Sequence, residues 1–405
     1  MTGSTILTIN GGSSSIKFAV FDAASTDKRL LSGAVDRIGA PGARLSVKYA
    51  DNSSLDTKLP ADKARDHRSA ARELLAWLTQ QIGNRKIASI GHRIVHGGVH
   101  LTKHQPVTAD LIAELRRTQP LDLAHLPREI ALIETFQEQF PPGSNVIQIA
   151  CFDTAFHHNL PRVAQLLPIP RKHLDGGIRR FGFHGLSYTY LLRELQRIAP
   201  AEAAGKVVIA HLGSGASMAA VQNGQPIDTT MAFTPTAGLV MSTRPGDIDP
   251  GLLVYLLRVE KMSPEQMDDY ISNKCGLLGV SDTSADIRDL MAAAPTDPRA
   301  QDAIDLFCYT ATKSIAAFAA SMNGLDALVF SAGIGEHAPN IRAQICKNLQ
   351  FLGLELDEQN NAANAALISS RQSRVKVRVL PTDEELLIAQ IVSQFLTGGD
   401  ASSSD

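Results

Sequence analysis

Cysteine and tryptophan are scarce in this chain, with four and one among 405 residues. Cys151, Cys275, Cys308 and Cys346 are dispersed and form no C-x-x-C pair. That excludes a disulfide framework or a zinc ribbon and fits reduced thiols in the cytoplasm. No apolar run approaches the ~18 residues of a membrane-spanning helix, and no charged-then-apolar signal opens the chain, so neither membrane nor secretion is expected. Excess positive charge is missing too: 39 Lys and Arg face 41 Asp and Glu, which argues against a nucleic-acid partner. Two nucleotide signatures are absent as well. No G-x-x-x-x-G-K-[ST] loop occurs, and the third glycine of a dinucleotide fingerprint is lacking after Gly333 and Gly335.

What is present is a strand, small-residue turn, strand pattern that occurs twice. Residues 6–20 carry it around Asn10, Gly11, Gly12 and Ser13–Ser15, with Lys17 just beyond. Residues 207–221 repeat it around His211, Leu212, Gly213, Ser214 and Gly215. Backbone N–H groups and serine hydroxyls in such a turn make an anion-binding concavity, and a lysine adds a point charge. A tight hairpin needing glycine at positive φ is the plainer explanation of one copy. The echo favours phosphate, and a duplicated fold. The length predicts two domains.

Elsewhere strands and helices alternate, which predicts α/β architecture. Helical spacing runs over 69–82 and 127–140, and strands are predicted at 87–95, 145–152, 327–331 and 375–380. The strand 145–152 delivers Asp153 at its C-terminal end, where ligands bind in α/β sheets; the plainer role is a cap. Arg93 and Arg244 sit in glycine-flanked segments that suit a planar carboxylate or phosphoryl group, although a single arginine is more often simply solvated. His184 lies among aromatics and glycines, as a core histidine would. Thr382 and Glu385 read as a capping box opening a final amphipathic helix. Residues 331–336 read as a glycine turn between strand and helix. The Gly- and Ser-rich tail from Gly398 is expected to be disordered.

Together these segments resemble the acetate kinases. The matching stretches are Asn10–Lys17, Gly91–Gly98, Phe152–His157, Arg180–Gly185, His211–Gly213, Phe233–Pro235, Asp247–Pro250, Gly333–Glu336 and Pro381–Leu386. The resemblance implies an α/β fold of two duplicated ribonuclease H-like (actin-like ATPase) domains with a nucleotide cleft between them. Residues 1–152 with 385–405 would form one domain and 153–384 the other. It implies reversible transfer of the γ-phosphoryl group of ATP to acetate, giving acetyl phosphate, with Mg2+ or Mn2+, in a cytoplasmic homodimer.

By matching position, the resemblance assigns Arg93 and Arg244 to the carboxylate and the transferring phosphoryl group, with both converging on one reactant. His184 matches the transition-state histidine and Asp153 the catalytic acid. Asn10 and Glu384 match metal-linked positions. Val95, Ala124, His125, Phe183 and Pro235 match the acyl pocket. Lys17, His211, Leu212, Gly213, Ser214, Gly215, Asp286, Ile287, Arg288, Gly333, Ile334, Gly335, Glu336 and His337 match nucleotide-binding positions. Because a carboxylate is already ionised at neutral pH, Asp153 is read as an organiser rather than a general base.

The departures are informative. Ala124 stands where the family has a leucine, which predicts room for propionate or butyrate. Ser214 replaces an asparagine, Tyr188 a histidine and His337 an asparagine. A nucleotide-switched binding protein of the actin or chaperone kind would need an appended interface, and a sugar kinase would need a carboxylate base in place of the paired arginines.

Overall fold

A computed structural model describes residues 3–398; the tail expectation beyond Gly398 lies outside them. The chain divides into two compact units, one ending at Ala155 and resuming at Asp383, the other Phe156–Thr382.

The first unit is built on eight strands: β1 (Ser4–Gly11), β2 (Ser15–Asp22), β3 (Ser25–Asp36), β4 (Arg44–Tyr49), β5 (Ser54–Lys58), β6 (Lys86–Ile94), β7 (Gln105–Pro106) and β8 (Ile147–Phe152). Their order is β5-β4-β3-β2-β1-β6-β8-β7. β1, β2 and β3 run antiparallel, whereas β6 and β8 run parallel to β1. One face is covered by the helices His67–Gln81 and Leu126–Gln139, whose Leu74, Leu78, Leu132 and Phe136 pack on Leu7, Ile9, Phe18 and Val20. Asp66 caps the first of these helices.

The other pleat receives the helix Glu384–Leu396 from the far end of the chain, with Leu387, Ile388, Ile391 and Val392 buried. Each such side chain contributes about 1.5–3 kcal/mol. The approach is close enough that a Cβ on Gly91 would lie 2.3 Å from Ile388 Cγ2. Glycine in β6 is therefore what lets this helix seat.

The second unit has five strands, β9 (Lys206–Leu212), β10 (Ala216–Gln222), β11 (Gln225–Thr229), β12 (Ala327–Ser331) and β13 (Lys376–Val379), ordered β11-β10-β9-β12-β13. β9, β10 and β11 are antiparallel and β12 and β13 parallel to β9. This repeats the plan of β3-β2-β1-β6-β8 strand for strand, so the echoed hairpins are the first two strands of one fold used twice. Tyr188, Leu191 and Leu195 of the helix Gly185–Ile198 pack over Val207, Ile209, Ala219, Val221 and Val329. No described helix is long and apolar enough to cross a membrane.

Three local expectations change. Gly11 and Gly12 do not have positive φ. They are small because a Cβ on Gly11 would meet Leu132 Cδ1 at 2.6 Å and one on Gly12 would meet Ser15 Oγ at 2.9 Å. The turn after β12 is made by Ala332 at φ 63°, and Gly333 and Gly335 lie inside the helix Ala332–His337. The last helix is capped by Asp383, whose side chain accepts from the Leu386 N–H, and not by Thr382, whose hydroxyl pairs with Ser187.

Candidate active site

In the first unit the ends of three strands meet. β1 ends at Asn10 and Gly11, β6 carries Arg93 next to its last residue, and Asp153 follows β8. The β6–β8 register sets Arg93 opposite Cys151, two residues before Asp153. Arg93 Nη2–H donates to Asp153 Oδ2 at 2.6 Å, and its Nε–H is shared between both carboxylate oxygens at 3.2 Å. Nη1–H donates to Asn10 Oδ1 at 3.0 Å, and Asn10 Nδ2–H donates to Glu384 Oε2 at 3.4 Å. Glu384 Oε2 lies 3.6 Å from Arg93 Nε.

Arg93 is thus neither solvated nor simply paired; it is a guanidinium fixed by two acids and an amide. Asp153 is 1% exposed. Burial pushes its carboxyl up from the ordinary carboxylate value against the pull of Arg93. Burial alone would lower Arg93, but the charges of Asp153 and Glu384 hold it above its usual range.

Behind Arg93, the Val95 N–H is shared by the two oxygens of Glu129, at 3.2 and 3.1 Å. Glu129 is buried in the helix Leu126–Gln139; burial raises its carboxyl well above the ordinary value, and the nearby Asp122 adds to this. His125 Nδ1 lies 2.9 Å from Asp122 Oδ1. Burial would raise Asp122, but the hydrogen bond and charge of His125 outweigh it and hold the carboxyl low. Ala124, just before this helix, is exposed. The sequence reading missed Glu129 and Asp122. Glu129 falls on the apolar stripe of Leu126, Ile130 and Ile133, so its helical position did signal a buried acid.

The second unit gathers a different set. His184, at φ 59°, opens the helix Gly185–Ile198. Its Nδ1 lies 2.8 Å from Ser217 Oγ, and its ring stacks on His211 with centroids 4.3 Å apart. His211 Nδ1 lies 2.8 Å from Ser187 Oγ, which is also 2.8 Å from Thr382 Oγ1. A Cβ on Gly215 would meet Arg244 Nη2 at 2.7 Å and His184 Nε2 at 3.4 Å, so both side chains come to one point above the β9–β10 turn. Arg244 Nη1–H donates to the Pro235 carbonyl at 2.5 Å. Phe183 is buried, and its carbonyl lies 3.0 Å from His157 Nε2; burial takes His157 down to about 4, so its neutral ring donates there.

Of the remaining residues expected at the nucleotide, Leu212 is buried, Ser214 is exposed, and the Ser214 carbonyl accepts from the Ser242 N–H at 3.1 Å. Glu336 Oε1 accepts from the Ala332 N–H at 2.8 Å and the Thr382 N–H at 3.3 Å. The fully buried Arg342 donates to the Gly335 and Glu336 carbonyls, which stiffens this helix. Nothing lies within 4 Å of a Cβ placed on Gly333. His337 is exposed. Half-buried Asp286 and exposed Arg288 pair with each other at 2.5 Å, with Asp286 capping the helix Ile287–Ala293 and Ile287 in the core. Lys17 is exposed on β2, opposite Asn10.

Among the described residues no three His, Cys, Asp or Glu side chains cluster as a metal cage. The oxygens of Asn10, Glu384 and Asp153 are the donor type that a hard divalent cation would take.

The model of the acetokinase family matches residues 5–390. An acetate kinase of Nitrobacter hamburgensis is 42% identical over 402 residues, covering 98% of each chain. A propionate kinase of Citrobacter rodentium is 41% identical over 396 residues, covering 96% of each. The crystal structure of a propionate kinase from Francisella tularensis superposes with a TM-score of 0.88 at 35% identity, covering 96% of this chain and 98% of that one. Matches of this length and identity, on a duplicated sheet with these strand-end side chains, establish that the chain belongs to the acetokinase family.

Proposed function

We infer that this chain transfers the γ-phosphoryl group of ATP to acetate, reversibly, giving acetyl phosphate and ADP. A carboxylate oxygen of acetate forms the new bond to phosphorus as the bond to the ADP oxygen breaks. The acceptor is already an anion at neutral pH, so no proton has to be removed from it. What the reaction needs is positioning and positive charge. The observation that carries the reading is Arg93, whose fork is locked by Asp153, Asn10 and Glu384 at the strand ends. A fixed guanidinium binds a planar carboxylate without losing rotamer freedom.

Arg244 and His184, brought to one point over Gly215, are assigned to the charge that develops on the phosphoryl oxygens. His211–Gly215, Gly333–His337 and Asp286–Arg288 are assigned to ATP, with Lys17 as an added charge. Gly333 supports this, since its missing side chain leaves open space beside the strand end. Asn10 and Glu384 would hold Mg2+, for which Mn2+ can substitute, and that cation would neutralise phosphate charge. Asp153 keeps Arg93 in place and takes no proton from the acceptor. The enzyme is placed in the cytoplasm, in keeping with four free cysteines. It is read as a homodimer, in keeping with exposed Leu252, Val254, Tyr255 and Leu257 on the helix Pro250–Arg258.

A second reading, propionate or butyrate as the preferred acid, is favoured by the small exposed residue Ala124, which is assigned to the acyl pocket. Each added methylene that finds cover contributes ~0.8 kcal/mol. Hydroxylamine trapping of the acyl phosphate, with ATP, magnesium and each acid in turn, decides between them. A higher kcat/KM for acetate supports the first reading and a higher value for propionate the second. No hydroxamate from any short acid overturns both.

A further inference from the structure

Tyr188 stands one turn after His184 on the helix Gly185–Ile198 and is fully buried. Its ring is wedged against Phe156 and His157, with centroids 5.7 and 5.6 Å away. Its hydroxyl meets Ser217 Oγ, and the same Ser217 oxygen lies 2.8 Å from His184 Nδ1. Ser217 is itself buried on β10, directly opposite His211. A phenol, a serine hydroxyl and an imidazole therefore form one continuous chain, ending on the ring whose Nε2 stands by Arg244 over Gly215.

The chain has a direction. A phenol, with a pKa near 10, is a stronger hydrogen-bond donor than an aliphatic alcohol, so the Tyr188 O–H is read as donating to Ser217 Oγ. The single Ser217 O–H, its oxygen accepting from Tyr188, is then left to donate to His184 Nδ1. The ring's own proton is then on Nε2. Successive hydrogen bonds polarise one another, so the phenol strengthens the serine as a donor.

We propose that Tyr188 is a positioning residue that acts through Ser217 to hold His184 as the Nε2–H tautomer, oriented to donate from Nε2 to the transferring phosphoryl group. This rests on the role given to His184 above. It assigns a task to the residue at which this chain departs from the histidine usual in its family.

The test uses the full-length enzyme in three variants, Tyr188→Phe, Ser217→Ala and His184→Asn. The readouts are 15N shifts of selectively labelled histidine, kcat with both KM values, and the thermal midpoint. In the unaltered enzyme His184 should carry its proton on Nε2. Tyr188→Phe keeps the ring packing, so the midpoint and both KM values should hold while kcat falls about five- to tenfold, the worth of one neutral hydrogen bond. The His184 shifts should move toward a mixture of tautomers, and further in Ser217→Ala. An Nδ1–H tautomer in the unaltered enzyme overturns the proposal, as does a Tyr188→Phe enzyme with unchanged tautomer and kcat. Full activity in His184→Asn would instead overturn the role of His184, while the 15N shifts still judge the relay.

Discussion

Arg93 and Asp153 are joined through both the Nε and Nη2 arms of the guanidinium, at 3.2 and 2.6 Å, with the carboxyl 1% exposed. The pair converts a flexible cation into a fixed fork. Asp153→Asn keeps the shape but turns an amide N–H toward guanidinium donors. With Glu384 still 3.6 Å away, the stability cost should lie toward the lower side of the ~3–5 kcal/mol typical of a broken buried pair. The larger effect is on turnover: kcat should fall about 100-fold as Arg93 loses its orientation. Steady-state rates beside a thermal melt check this, and near-normal turnover would remove Asp153 from the mechanism.

Glu129 sets a pH dependence of stability. Its folded carboxyl binds a proton more tightly than the unfolded one, chiefly through burial. A raised carboxyl contributes most below the unfolded value of about 4.3 and loses that contribution as pH rises toward the folded value. Glu129→Gln keeps an oxygen for the Val95 N–H and removes the titration. The variant should therefore gain on the unaltered protein as pH rises above about 4.3 in paired thermal melts. A gap that stays constant across this range would refute the assignment.

The duplicated fold was legible because each copy opens with an apolar hairpin around a small-residue turn. Strand-end placement then pointed to Arg93 and Asp153, and the family resemblance to His211. What escaped were contacts made by tertiary packing. Gly11 looks like a turn glycine, yet its constraint is Leu132, some 120 residues away in the chain. Asp383 displaced Thr382 as the cap because Ser187 holds the threonine hydroxyl. Ser217 carries no signal of its own in the sequence, since its two partners come from a helix that precedes the hairpin.

Gly215 separates packing from catalysis. Its φ is not positive, so alanine fits the backbone there. The added methyl would press on Arg244 Nη2, the mobile end of a side chain, at 2.7 Å. Gly215→Ala should melt normally yet lose at least tenfold in kcat/KM, because displacements of this order cost up to about 100-fold. Gly333→Ala meets no atom within 4 Å and should act through ATP, raising its KM at unchanged stability. Equal behaviour of the two variants toward acetate and ATP would contradict the division of roles.

Ala124 carries the prediction about substrate choice. Restoring leucine adds three carbons at an exposed position beside His125, where no folded contact has to be broken. Ala124→Leu should leave the melt unchanged and narrow the space for the acyl chain. Such pockets discriminate by ~10–200-fold per methylene. The ratio of kcat/KM for propionate over acetate should therefore fall about tenfold or more, with butyrate suffering further. A ratio that does not move would mean that residue 124 does not line the acyl pocket in this chain, and that the leucine usual in the family has no counterpart here.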